Sequence, residues 1–365
     1  MARLVAIIVA VAVLIVASLA TRQETPITIV ESVEAPAGDG LLDEVDVLLA
    51  ERTAMFSGCV AGNTDDGFET RKFEWEQQQR QTVSVLGASA DAEHLLVAAL
   101  LSWRDDLDGA LSILGEAAAR DSRNPLIASQ ILELCMEIDH CNRARPEMED
   151  NLIVADKANV MAWVQVARSR LQRGDEAGAL SALREAVAAG TVDDYLVEYV
   201  LLFDRALAAS SDLSAHERMV SAFGFGAGLF SGTYMISSDC RERAENSAEW
   251  GDVCLRLGER FEHDARTLLT KAIGIGMQVN MYEIGGDARS QEQAQTRQRD
   301  FRASYRSLSV QSVRAEELKD ATVFRKYLEI LATGGELEAM RYLADEVSAR
   351  LPPAADAQQP ACPDP

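Results

Sequence analysis

The chain has 365 residues and a formal net charge of -23, with apolar and charged fractions of 48% and 25%. That length suffices for two compact units and that composition for a buried core, which excludes a wholly disordered or fibrous chain. So negative a chain repels phosphate backbones, which excludes nucleic acid as a partner; the acidity otherwise implies only a well-solvated surface.

The N-terminus opens on Arg3 and an uncharged apolar run, Leu4–Ala20. Ser18 and Ala20 have the small-x-small form of a signal-peptidase site. The run is a little long for a cleaved signal and a little short for a membrane span, so residues 1–21 are read as a signal peptide or a membrane anchor. Either way, Arg3 before the run and acidic residues after it put the body outside the cytoplasm. The expected location is periplasmic, soluble after cleavage near Ala20 or anchored by residues 4–20, with no other membrane contact. Residues 22–66 begin with a linker, Arg22–Gly40, in which Pro26, Pro36, Gly38 and Gly40 stand among polar and acidic residues. Leu41, Val45 and Leu48 come next at helical spacing. Phe68, Lys72 and Trp75 then start a polar helix ending near Gly87, placed to cap a helical array beginning at Asp91.

From Asp91 to Asp193 the same residue types recur at a period of roughly 34, the length of a helical hairpin repeat. Asp91–Asn124, Pro125–Asn159 and Val160–Asp193 align so that Ala110, Ala144 and Ala179 form one column. Leu114, Met148 and Leu183 form a second, and Ala117, Asn151 and Ala186 a third. The spacing of Ala179, Leu183 and Ala186 is i, i+4, i+7, one stripe on a helix. Small side chains in that stripe let two helices approach closely. Turns are expected at Arg104–Asp108 and Arg173–Asp175.

The third unit, through Trp163, Val166, Ala167, Gly174, Asp175, Ala179, Leu183 and Ala186, resembles the tetratricopeptide repeat of exported bacterial proteins. The first unit matches at Ala98, Leu101, Ala110, Leu114 and Ala117. The middle unit departs at Leu132, Cys135 and Asn151, and Pro146 makes its second helix start late. The resemblance covers under a third of the chain. It implies an all-α fold and a solenoid of about three helical hairpins over residues 67–209 with capping helices; residues 210–351 are read as a second helical region and 352–365 as a disordered tail. It also implies a peptide-binding face on the first helix of each hairpin. The family's groove positions fall on Leu95, Ala99 and Trp103; on Ser129, Glu133 and Glu137; and on Val164, Arg168 and Gln172. Of these, Trp103, Glu133, Glu137, Arg168 and Gln172 are the expected contacts: an aromatic anchor, two carboxylates, an arginine and an amide, suited to an extended peptide.

After the repeats a helix is expected from about Tyr195 to Ala209. Ser214 and Glu217 form a capping-box pair opening another. Met219–Ser238 carries no charge, and Gly224, Gly228 and Gly232 lie four apart on one face. That spacing occurs in membrane dimers, but the run is too weakly apolar to span, which favours a soluble helix packed closely on another. Asn246 and Glu249 resemble a second cap, followed by the stripe Trp250, Val253, Cys254, Leu257 and Phe261. A long helix from about Asp264 to Ile284 offers Ala272 and Gly276 as a small face to match the glycines. Its Lys271, Gln278 and Asn280 either line a polar pocket or reach solvent. Ser290–Arg306 is a surface helix or a mobile connection. Ala321–Ala332, a turn at Gly334-Gly335, and Glu336–Leu351 make a last hairpin.

In an exported chain the six cysteines are disulfide candidates. Proximity selects Cys135 with Cys141 and Cys240 with Cys254, leaving Cys59 and Cys362. His140 beside Cys141 has no second pair to complete a zinc set, so no metal is expected. His94, His140, His216 and His263 are scattered, and His94 inside a repeat helix suits packing better than catalysis. There is no phosphate loop, paired-histidine zinc motif or Gly-x-Ser-x-Gly elbow, and Gly224-x-Gly226 lacks the third glycine of a dinucleotide loop. No catalytic residue and no cofactor is therefore assigned. The expected function is a non-catalytic scaffold binding a protein or peptide partner. The alternative is an enzyme whose site lies in the C-terminal helical region, with the repeats as a docking module.

Overall fold

The computed structural model describes residues 77–352, apart from 78, 139, 142–143, 228–230, 313–314 and 316–317. The apolar run Leu4–Ala20, the linker, Leu41–Leu48, Phe68, Lys72, Trp75, Cys59, Cys362 and the tail from residue 353 lie outside the described residues. Within them the chain is all-helical, without a strand. No described helix is long and apolar enough to cross a membrane.

After a helical segment over 79–87 come three pairs: α1 (Ala92–Ser102) with α2 (Leu107–Arg120), α3 (Pro125–Glu137) with α4 (Arg145–Asp156), and α5 (Val160–Gln172) with α6 (Glu176–Ala188). Local chemistry starts most of them. Asp91, Asp106, Asn124, Asn159 and Asp175 each accept a backbone N–H of the first turn through the side chain, the role that a short polar residue fills at a helix start. α4 has no such cap; Pro146 sits in its first turn instead, where a missing N–H costs nothing. Arg145 at its start closes the preceding helix, donating to Cys135 O at 2.8 Å and Met136 O at 3.2 Å. The expected small columns are buried at Ala110, Ala117, Ala179 and Ala186, with Leu114 and Leu183 beside them.

The second half comprises α7 (Leu196–Ser210), α8 (Ala215–Ala227), α9 (Ser231–Ala244), α10 (Ala248–Asp264), α11 (Leu268–Ile284), α12 (Ala288–Ser312), α13 (Ala321–Gly334) and α14 (Glu336–Arg350). The Ser214–Glu217 box is formed in both directions, at 2.9 and 3.3 Å. The cap of α10 is Ser247, one residue beyond the expected Asn246, and the long helix expected from Asp264 is broken at Ala265 so that Thr267 caps α11. Ser290–Arg306 is helical, inside α12.

α10 and α11 make the closest crossing, through two glycines. A Cβ on Gly274 would stand 2.6 Å from Gly258 O and Glu262 N. One tight partner of α11 is thus Gly258 on α10, met through Gly274; α11 also packs on α9, while Gly228, part of the glycine face expected to meet Ala272 and Gly276, lies outside the described residues. α8 is pressed on α7, where a Cβ on Gly226 would meet Val200 at 2.9 Å.

The halves do not stand apart. One apolar cluster runs from Leu86 and α1 through α7 to α13 and α14; a second joins α5 and α6 to α9, α10 and α11. α7 packs on α1, α9 on α5 and α10 on α6. Phe203 stacks on Phe225 at 4.9 Å, and Phe223 meets Tyr327 edge-on at 5.5 Å, fastening α8 to α13.

Candidate functional site

The capped starts of α1, α3 and α5 set where the nine groove positions fall. Leu95, Ala99, Ser129 and Val164 are buried to 1% exposure or less. The cover is the chain's own second half. Tyr199 of α7 is buried over α3, where its hydroxyl accepts from Gln130 Nε2 at 2.6 Å. Burial raises the Tyr199 hydroxyl well above the usual range, so it stays a neutral hydrogen-bonding group. Val164 lies in the same apolar cluster as Ile236 and Cys240 of α9.

The five expected contacts divide. Glu133 and Arg168 face each other, with Arg168 Nη1 at 3.0 and 3.2 Å from the two carboxylate oxygens. Burial raises Asp239 of α9 above the ordinary carboxylate value, and Arg243 and Arg168 oppose that shift. Arg168 is thus an internal countercharge. Trp103, Glu137 and Gln172 lie at the C-terminal ends of α1, α3 and α5. Glu137 and Gln172 are exposed, and Trp103 is half-buried against the core.

These three ends form one edge. Arg145 Nη1 donates to Gln172 Oε1 at 3.2 Å while its other donors hold the end of α3. His140 Nε2 stands 3.7 Å from Asp108 Oδ1, bringing the α3–α4 turn to the α1–α2 turn. Arg104 lies over the Trp103 ring at 5.9 Å, and burial lowers its guanidinium to about 10. Beside it Asp105, Asp106 and Asp108 are exposed. The edge therefore presents an aromatic–cation stack, several carboxylates and a carboxamide.

Elsewhere polar groups converge but answer one another. Glu149 of α4 accepts from Ser169 Oγ at 2.7 Å, Arg170 Nε at 3.0 Å and Arg173 Nη2 at 2.7 Å. Gln278 is buried, donating to Glu262 at 2.6 Å and accepting from Arg297 at 2.7 Å. Lys271 closes the end of α10, with Nζ 2.9 Å from Glu262 O. His94 meets Ser89 Oγ at 3.0 Å. A small apolar cavity is lined by Gln79, Thr82, Leu101, Leu207, Leu213 and Phe225. Among the described residues no cluster has a metal-binding set.

Cys135 with Cys141 and Cys240 with Cys254 stand as disulfide pairs, Cα atoms 5.2 and 5.8 Å apart. Comparison with protein-family models and with curated proteins gives no match. The pairs are compatible with an oxidising, exported compartment. Sequence reasoning missed the Arg145 clamp and the Glu149 cluster. The one available signal for the latter was the acidic start of α4, with Glu147, Glu149 and Asp150, set against the arginines Arg170 and Arg173 at the end of α5.

Proposed function

We propose that the chain is a non-catalytic scaffold on the outer side of the cytoplasmic membrane, with hairpins arranged as in tetratricopeptide repeats, and that it binds extended segments of protein partners along the edge marked by Trp103, Glu137 and Gln172. The observation that carries this reading is the division of the groove positions. Those in the middle of α1, α3 and α5 are covered by α7 and α9 or paired with each other, whereas at the helix ends Glu137 and Gln172 are exposed and Trp103 is half-buried. Trp103 supplies the amphipathic anchor typical of binding hot spots, and the acidic turns around it favour a partner segment carrying lysine or arginine. The two cysteine pairs support the oxidising compartment, and residues 1–21 supply its address.

A photo-activated cross-linking side chain at Glu137 or at Gln172 of the full chain should capture a partner in its native envelope. The same group at Val154, 78% exposed on α4, serves as the control. Equal capture at Val154, or none at the edge, overturns the reading. A phosphatase fused after residue 60 should be active only outside the cytoplasm.

A further inference from the structure

The two cysteine pairs sit in different surroundings. Cys240 and Cys254 are embedded in the large apolar cluster that joins α5 and α6 to α9, α10 and α11. Cys135 and Cys141 share a small cluster of their own with Ile138, which meets the rest of the core through Leu111 and Met148. Among the described residues, so small a satellite buries little apolar surface. The fold around it depends more on its cross-link and hydrogen bonds than on packing. It lies beside Glu137, on the edge proposed to bind.

Arg145 carries the geometry of this satellite outward. It is only 4% exposed. Its Nε and Nη2 hold the carbonyls of Cys135 and Met136, and its Nη1 holds Gln172 Oε1 on α5. A guanidinium is a rigid planar fork, so gripping the end of α3 fixes where the remaining donor points. Both ends of the sulfur bridge reach this residue. Cys135 does so through its carbonyl. Cys141 does so through Ala144, whose N donates to Cys141 O at 2.9 Å just before Arg145.

We propose that the Cys135–Cys141 bond switches the binding edge on. Oxidised, the pair sets Arg145 so that Glu137 and Gln172 stand in register; reduced, it releases Gln172 from Arg145. This regulation rests on the edge proposed above. The chemistry is thiol–disulfide exchange with an external disulfide donor. The thiolate of one cysteine attacks the donor and forms a mixed disulfide. The second cysteine attacks that bond, closing Cys135–Cys141. The pair gives up two electrons and two protons, and the donor leaves as a dithiol. A chain not yet exported stays reduced and lacks the formed edge, which appears where such donors are kept.

The carboxamide of Gln172 reads the switch without a partner. In the 15N-labelled full chain its side-chain NH2 resonance is identified by its loss in Gln172→Glu. That resonance should shift between the parent and Cys135→Ser/Cys141→Ser. In an Arg145→Gln background the same two states should give one position. If the double serine variant does not fold, the parent opened with dithiothreitol gives the comparison, with peptide mapping to show which bond has opened. An unmoved resonance, or the same shift in the Arg145→Gln background, overturns the switch. Capture by the cross-linking group at Glu137 should also fall about tenfold in the double serine variant, a loss of about 1.4 kcal/mol in affinity. Equal capture overturns the switch. Absence of capture by the parent overturns the edge instead, an outcome that the Gln172 resonance does not share.

Discussion

Arg168 and Glu133 pair across α5 and α3 with side chains only 7% and 14% exposed. Each is the other's answer to burial, so neither is free for a ligand. Arg168→Met or Glu133→Leu alone leaves a charge stranded under α7 and α9, and each should cost about 3 kcal/mol. The double variant removes both charges and should cost well under the sum. Urea unfolding of the four proteins gives the coupling. Additive losses would mean that the pair does not interact.

Two glycines should respond oppositely to alanine. Gly274→Ala places a methyl group 2.6 Å from the backbone of α10 and should destabilise by several kcal/mol, of order 3. Gly115, inside α2, has nothing within 4 Å of its missing Cβ. Gly115→Ala should stabilise by up to about 1 kcal/mol through the unfolded chain. Thermal unfolding of both variants tests the α10–α11 crossing directly.

Removing the cysteine pairs should cost stability in order of loop length. The Cys240–Cys254 loop spans 14 residues and the Cys135–Cys141 loop 6. Serine replacement should cost about 3 kcal/mol for the first and about 2 kcal/mol for the second. Peptide mapping without reduction should show both bonds; free thiols at either pair would refute that pair.

Glu149→Gln keeps the shape but removes the charge that three donors share on α5 and its turn. The loss should be about 2–3 kcal/mol, because two arginines keep their charge without their acceptor. Arg170→Gln, at the rim of the same cluster, should cost less. Denaturant midpoints rank the two.

The local parts of the fold were legible because their causes are local. Asn124, Asn159 and Asp175 stand before apolar-periodic runs, and Ser214 with Glu217 spells a cap in both directions. The hairpin turns at Arg104 and Gly174 and the two cysteine pairs depend on neighbours a few residues away. The break before α11 was misplaced although Thr267 marks it, since the apolar pattern runs on through Leu268 and Leu269. What covers α1, α3 and α5 was not legible at all. Periodicity identifies a face, but whether water, a partner or the chain itself fills it depends on α7 and α9, many residues downstream. For that reason Glu133 and Arg168 read as contacts in sequence and turn out to be each other's partner. Asp194 gave no signal in sequence because its hydroxyl donors, Thr267 and Thr270, lie 73 and 76 residues away.

The packing of α10 on α6 has a consequence for assembly. Stacked hairpins leave a bare terminal surface that resembles the one the next hairpin would bury, and a chain ending there is prone to join its copies head to tail without closing. Here the last hairpin already carries α10, tied through Cys254 to α9. A duplicated hairpin inserted after Ala188 would therefore have to evict α10 from α6.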